Sequence, residues 1–187
     1  MRDLVFLRFC AIALAVLGPL AACSDKSADR DKDGEISGDE RAIAAGIKQL
    51  TPMKPGLWKV EVKFNRAEID GFSEGKKQEL LAKMSKAASS SRCLSKYDAI
   101  NPPASLYGGS GAGKCRYRSF DVSAGKTDIA ISCVRDNLAT LDTDLSGSSS
   151  DTNFSFAAKS ALRLPMIGQI NLSGTAAGTY AGECGTK

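Results

Sequence analysis

The sequence predicts an α+β domain that is mainly β, an antiparallel meander forming a curved sheet or small open barrel with one packed helix. Three observations support this prediction. Short segments of alternating apolar and polar residues recur between residues 55 and 181. Turn-forming residues separate these segments at the spacing of a meander. A single segment within this range, residues 73–91, has apolar residues at helical spacing instead.

The first 22 residues have the pattern of an export signal. Arg2 and Arg8 lie before or at the start of an apolar stretch, 9–20, which is too short to span a bilayer as a permanent helix. The segment ends in Leu-Ala-Ala-Cys at residues 20–23, which resembles the bacterial lipobox. An ordinary secretory peptide with a chance cysteine is the alternative. The position of Cys23 directly after the apolar stretch favours a lipoprotein signal peptide.

Lipidation of Cys23 would hold the protein on a membrane through its acyl chains. Ser24, rather than an aspartate, follows the cysteine, which resembles the outer-membrane sorting pattern of Gram-negative bacteria. We therefore expect a lipoprotein of the bacterial cell envelope that faces the periplasm. Residues 23–52 would form a lipid-anchored stalk, and residues 53–187 the β-rich domain.

Within the stalk, residues 29–40 read DRDKDGEISGDE, the spacing of a twelve-residue EF-hand loop. Gly34 permits the positive φ of the sharp turn. A solvated acidic linker is the alternative, but such a linker would not usually also place Gly34, Ile36 and Glu40 in these registers. The loop predicts calcium as cofactor. Its predicted ligands are side-chain oxygens and one backbone carbonyl, from Asp29, Asp31, Asp33, Glu35 (carbonyl), Ser37 and Glu40 (bidentate).

A helix is predicted directly after the loop, over residues 41–50, because Ile43, Ile47 and Leu50 form one apolar stripe. Residues 24–28 leave no room for an entering helix, so the predicted unit is a half EF-hand. An unpaired site of this kind is expected to bind calcium with a Kd on the order of 10⁻⁴–10⁻³ M. We expect calcium to stiffen an otherwise flexible, acidic stalk.

The domain begins with a predicted strand over residues 55–65, where one face is apolar: Trp58, Val60, Val62 and Phe64. The helix over residues 73–91 can be capped by Ser73. Five further strands are predicted over residues 115–122, 127–134, 138–145, 152–161 and 169–181. Residues 123–126, Ser-Ala-Gly-Lys, are predicted to form a hairpin turn.

Four cysteines follow the stalk: Cys93, Cys115, Cys133 and Cys184. An even number in an oxidising compartment predicts two disulfides, with three connectivities open. We favour Cys93–Cys115 and Cys133–Cys184, because the second bond would tie the last strand to the sheet.

Several short motifs occur in a distinctive order. They are Pro55-Gly56-Leu57-Trp58 opening a strand, Cys93 after a helix, Cys115 and Cys133 on successive strands, and the ending Gly182-Glu183-Cys184. Together they resemble the Domain of Unknown Function 3617 family over about residues 53–184, although the bulky residue often found before the final Gly-x-Cys is missing. The resemblance implies periplasmic location and paired cysteines. Several lipoprotein members also resemble this chain in having an acidic EF-hand-like loop ahead of the domain. The resemblance implies no activity.

The composition excludes several functions. There is no histidine, which excludes Ser-His-Asp and Cys-His catalysis and histidine-bound zinc or haem. A net charge of +4 is too small and too spread out for a nucleic-acid-binding protein. The glycine-rich residues 108–114 lack the Ser or Thr of a nucleotide-binding P-loop and precede a predicted strand instead of a helix.

We therefore expect a protein without enzymatic activity, whose partners are the membrane and an envelope protein or a small apolar ligand. The alternative is a cell-envelope hydrolase with a structural calcium ion. Its acids would have to come from the strands, where Asp121, Asp128, Asp142 and Asp144 are scattered and are expected to face solvent. A thiol-based redox role is a third hypothesis, and the lack of a Cys-x-x-Cys motif argues against it.

Overall fold

The computed structural model describes residues 38–108, 114–135, 139–165 and 168–185. These residues contain four helices and seven strands. The helices are α1 (Gly38–Gln49), α2 (Glu74–Ala88), α3 (Lys96–Ile100) and α4 (Ala104–Gly108). The strands are β1 (Gly56–Glu68), β2 (Ser90–Leu94), β3 (Lys114–Ser123), β4 (Lys126–Arg135), β5 (Ala139–Ser149), β6 (Asn153–Leu164) and β7 (Gly168–Tyr180).

All seven strands form one curled antiparallel sheet with the order β2-β1-β7-β6-β5-β4-β3. Strands β3 to β7 follow one another as a meander, as the sequence predicts. The first strand, β1, then pairs with the last, β7, and β2 pairs with the other side of β1. The predicted fold class, mainly β with a curved antiparallel sheet, is confirmed.

Alternation of buried and exposed residues shows why these segments are strands. In β6 the buried positions Phe154, Phe156, Ala158 and Ser160 alternate with exposed ones, so that every second side chain enters the concave side of the sheet. The predicted hairpin turn is also confirmed, since Ser123 pairs with Lys126. Its two central residues, Ala124 and Gly125, have φ values of 49° and 77°, as a type I′ turn requires.

Three elements were not predicted. β2 occupies the end of the predicted helix 73–91, because Ser90–Leu94 pairs with β1 while α2 stops at Ala88. Its pattern has only one buried residue, Leu94, so pairing with a neighbour and not local alternation makes it a strand. The five-residue helices α3 and α4 are too short to show a helical apolar stripe.

Helix α1 lies in the main core of the domain. Ile43 and Ile47, together with Leu50 just after the helix, are at most 6% exposed and belong to the same cluster as Trp58 and the aromatic residues of β6. Gly46 lies so close to β3 that a Cβ atom there would sit 1.8 Å from the carbonyl oxygen of Phe120. The backbone of α1 therefore rests directly on the sheet.

Helix α2 lies against β1 with a single buried residue, Leu81. It covers part of the edge of β1 that β2, pairing only as far as Val60, leaves free. The Ser89 hydroxyl accepts a hydrogen bond from the Val62 N–H at 3.0 Å, and the Ser85 hydroxyl accepts one from the Phe64 N–H at 2.9 Å. Two serine side chains thus satisfy backbone donors that would otherwise need another strand.

The concave side of the sheet is filled by side chains. The aromatic rings of Trp58, Phe154 and Phe156 stack in sequence, with centroids 6.0 and 5.3 Å apart. Tyr107 of α4 meets both phenylalanine rings edge-on. Together with the residues of α1, these rings close off the concave face beneath the helices.

Candidate functional site

Most of the predicted calcium and lipid sites lie outside the described residues. This applies to the lipidation site and to five of the six predicted metal ligands: Cys23, Asp29, Asp31, Asp33, Glu35 and Ser37. Glu40, the twelfth loop position, is described. It lies half-buried in the first turn of α1, next to the exposed Asp39.

Elsewhere in the described part of the chain, no group of three or more His, Cys, Asp or Glu side chains is arranged to hold a metal ion. Among the same residues, no helix is both long enough and apolar enough to cross a membrane.

The four cysteines form two disulfides, but the favoured pairing was wrong. The bonds are Cys93–Cys184 and Cys115–Cys133. Cys115 and Cys133 lie directly opposite each other on the neighbouring strands β3 and β4, with Cα atoms 4.0 Å apart.

The strand order explains the bond between Cys93 and Cys184. Cys93 on β2 lies opposite Leu57 on β1. On the other side of β1, the Leu57 N–H donates to the Gly182 carbonyl and the Ala181 N–H donates to the Leu57 carbonyl. The first strand therefore brings β2 and the segment after β7 together, which the sequence alone does not reveal. The bond still ties the C-terminal end to the sheet, as expected, but through β2.

The strand acids considered for a hydrolase lie on the convex face of the sheet, and three of them contact cations. Asp142 accepts a hydrogen bond from Arg163 at 2.6 Å, and Asp144 accepts one from Arg118 at 2.7 Å. Asp128 lies 3.1 Å from the ammonium of Lys126.

The pKa of Asp142 lies below its usual range, first because the Ser132 hydroxyl hydrogen-bonds the carboxylate and then because Arg163 is close. The pKa of Asp128 is also lowered, mainly by a hydrogen bond from the Ser146 hydroxyl. Carboxylates held ionised in this way are poor general acids, since that role requires a raised pKa.

An open groove of about 560 Å³ crosses the same convex face. Cations from three strands line it, together with the acids Glu68, Asp142 and Asp144; these cations are Arg66, Arg118, Lys159 and Arg163. Sequence reasoning did not single out these cations. The sequence places Asp142 and Asp144 on one face of β5, and Lys159 and Arg163 on one face of β6, but only the strand register shows that they meet.

The comparisons with known proteins identify the family. No curated protein and no solved structure matches the chain significantly. One family model matches residues 53–184, under the description "Protein of unknown function (DUF3617)". The matched region begins at the buried Met53, ends at the disulfide-bonded Cys184 and contains all seven strands. The chain therefore belongs to the DUF3617 family of proteins of unknown function.

Proposed function

We propose that the protein is a bacterial envelope lipoprotein that binds calcium through residues 29–40 and carries a β-rich domain with a binding or structural role. The observation that carries this proposal is the position of α1. This helix continues the acidic loop, and its apolar side lies in the core of the domain. The end of the loop at Glu40 is therefore fixed to the domain and does not belong to a separate unit.

Calcium at the loop would act on the domain through this helix. Six of the twelve loop residues are acidic, and without a cation their repulsion opposes a compact loop. A cation joined by Asp29, Asp31 and Asp33 at one end and by Glu40 at the other would fix the chain ahead of α1. In this way calcium would set the distance between a lipid on Cys23 and the domain.

A role without enzymatic activity is supported by the chemistry of the described residues. The chain has no histidine. Asp142 and Asp144 are each hydrogen-bonded to an arginine, and the lowered pKa of Asp142 opposes its use as a general acid. These facts also weigh against the alternative, a cell-envelope hydrolase with a structural calcium ion.

Between the two partners expected besides the membrane, the packing favours an envelope protein over a small apolar ligand. The concave face, where an apolar ligand would have to bind, is filled beneath α1 and α4 by buried aromatic and aliphatic side chains. The convex face has an open groove lined by charges of both signs, which could pair with complementary charges on another protein.

Calorimetry tests the calcium site. Calcium is titrated into residues 23–187 and into two variants, Glu40→Gln and Asp39→Asn. Because Glu40 supplies the bidentate carboxylate and the neighbouring Asp39 is not a predicted ligand, we expect Glu40→Gln to weaken binding at least about tenfold. Asp39→Asn, the matched control for charge, should change the affinity by less than about threefold.

The absence of a binding heat at millimolar calcium would overturn the calcium proposal. Equal losses of calcium affinity in the two variants would also overturn it, because they would indicate a diffuse charge effect. Magnesium is the reference cation. Its smaller size and demand for octahedral geometry should give weaker binding than calcium.

Metabolic labelling with a radioactive fatty acid tests the anchor. The wild-type chain in a Gram-negative host should be labelled, and Cys23→Ser should abolish the label. Cys10→Ser, a cysteine change inside the predicted signal, is the control and should leave labelling intact. A labelled Cys23→Ser protein, or an unlabelled wild type, would contradict lipidation at Cys23.

A further inference from the structure

The short helix α3 presents two large apolar side chains to solvent. Tyr97 is 62% exposed and Ile100 is 58% exposed, the highest values among the large hydrophobic residues that the structure describes. Because they are three residues apart on a helix, the two side chains lie on one face. Tyr97, Ile100 and the neighbouring exposed Lys96 are called the α3 tip below.

The α3 tip is held in place by its backbone. Ser95 and Asp98 form a capping box at the start of the helix. The buried Ala99 accepts a hydrogen bond from the Met53 N–H at 2.9 Å. Just beyond the helix, the Tyr117 hydroxyl donates to the Pro102 carbonyl at 2.7 Å. Because the backbone of α3 is already ordered, it loses little conformational entropy when Tyr97 and Ile100 contact another surface.

The surroundings of the α3 tip are more basic than acidic. Lys96 is part of it. The exposed Arg92 and Lys54 lie on segments that contact α3, with the Arg92 guanidinium donating to the Ser105 hydroxyl and the Lys54 ammonium over the Tyr180 ring. On the same segments, the acid Asp98 is engaged by the capping box, and the backbone carbonyl of Asp151 accepts from the Lys54 N–H. A tyrosine and an aliphatic side chain flanked by lysine and arginine are the residues that favour the interface of an anionic membrane.

We propose that the α3 tip contacts the lipid surface to which the protein is anchored. This proposal rests on the lipid anchor proposed above for Cys23. The 15 residues from 23 to 37 can extend at most about 50 Å, and α1 is about 18 Å long. A membrane at Cys23 is therefore always within reach of the domain, and the tether raises its effective concentration.

The small area of the α3 tip favours a membrane over a protein partner. A stable protein interface covers about 800 Å² on each partner, far more than two side chains on a five-residue helix expose. A tethered domain needs only a weak second contact with the bilayer to fix its orientation, because the lipid anchor and an apolar patch strengthen each other's membrane binding. The contact would hold the domain with α3 toward the lipid.

A fluorescence experiment tests this contact without depending on natural lipidation. Residues 23–187 are coupled through the Cys23 thiol to maleimide-bearing vesicles of phosphatidylethanolamine and phosphatidylglycerol that contain brominated acyl chains. Tyr97→Trp is the reporter. Phe72→Trp is the matched control, since Phe72 is 40% exposed and follows the far end of β1, about 40 Å along the strand. Trp58 is fully buried, so its constant signal is subtracted using the wild type.

We expect coupling to quench Tyr97→Trp at least about threefold more strongly than Phe72→Trp, with a blue shift of its emission. Adding Ile100→Ser to the reporter should reduce that excess quenching at least about twofold, because serine removes an apolar side chain that would enter the lipid. Equal quenching of the two reporters would overturn the proposal. A blue shift that occurs without quenching and increases with the density of protein on the vesicles would also overturn it. That result would identify a contact between copies of the chain.

The failure of this proposal and the failure of the anchor are distinguishable. Chemical coupling supplies the tether even if cells do not lipidate Cys23, so a negative quenching result speaks only against the α3 tip. An unlabelled wild type in the fatty-acid experiment speaks only against the anchor.

Discussion

Helices α1 and α2 flank the same sheet but are held by different forces. α1 has 12 residues, and its apolar side is in the core, with Gly46 resting on the backbone of β3. α2 has 15 residues, yet only Leu81 is buried and two serine hydroxyls join it to the edge of β1. The longer helix is therefore the more peripheral one, which shows that burial, not length, decides how firmly a helix is fixed.

The largest expected loss of stability concerns a buried residue of α1, compared with one of α2. Ile47→Ala should lower the free energy of unfolding by about 3.5 kcal/mol, because it opens a cavity in a core with few ways to collapse. Leu81→Ala should cost about 2 kcal/mol, since its cluster includes half-buried neighbours that can relax. Urea denaturation of both variants measures the difference. Equal losses would mean that the two helices are equally integral.

One glycine from each of the two helices, Gly46 of α1 and Gly75 of α2, provides a sharper comparison. Gly46→Ala should cost about 3 kcal/mol, because the new methyl group would overlap the Phe120 carbonyl and push α1 off the sheet. Gly75→Ala should stabilise the protein by about 0.5 kcal/mol, because nothing lies within 4 Å of its added Cβ and alanine favours the helix. Thermal unfolding of the pair measures opposite signs, and a Gly46→Ala protein as stable as wild type would contradict the close packing of α1.

A smaller effect is expected from the serine contacts of α2. Ser85→Ala should cost about 1 kcal/mol, because it leaves the Phe64 N–H without its partner. Ser85→Thr keeps the hydroxyl and is the matched control, with a loss well below that of alanine. Chemical denaturation gives the values, and equal losses for alanine and threonine would remove the hydrogen bond as the cause.

The exposed charges of α2 should matter least. Lys83 contacts Glu79, and the pKa of Glu79 is lowered first by that hydrogen bond and then by the nearby charge. A lowered pKa means that the pair favours the folded state at neutral pH and that this contribution is lost as the carboxylate is protonated in acid. Both side chains are largely exposed, so Glu79→Gln should leave the melting temperature at pH 7 unchanged within error. A clear decrease would show that charges help to hold α2.

The sequence predicts individual helices and strands better than it predicts which of them pair or pack together. Strand β1 was predicted over residues 55–65 and spans Gly56–Glu68, since the alternation around Trp58 is a local signal. β2 could not be predicted, because Ser90–Leu94 becomes a strand only by pairing with β1. The helix after the acidic loop was predicted with its apolar stripe, but the sequence does not show that this stripe belongs to the core of the domain.

The same limit applies to the candidate sites. The four cysteines were correctly expected to form two disulfides, but their partners depend on β1 lying between β2 and β7. The pairs Asp142–Arg163 and Asp144–Arg118 likewise depend on strand register. The calcium ligands and Cys23 stay predictions, with Glu40 the one of them whose position is described.

The position of β1 beside β7 has a consequence for the order of folding. The hairpin of β3 and β4 joins residues close in sequence, and Cys115–Cys133 closes a separation of only 18 residues. β1 has no sheet partner on its β7 side until residues 168–180 have been synthesised, and Cys93–Cys184 spans 91 residues. Because distant contacts form late, the local disulfide should close first. The chain would then stay sensitive to proteases until its final residues arrive.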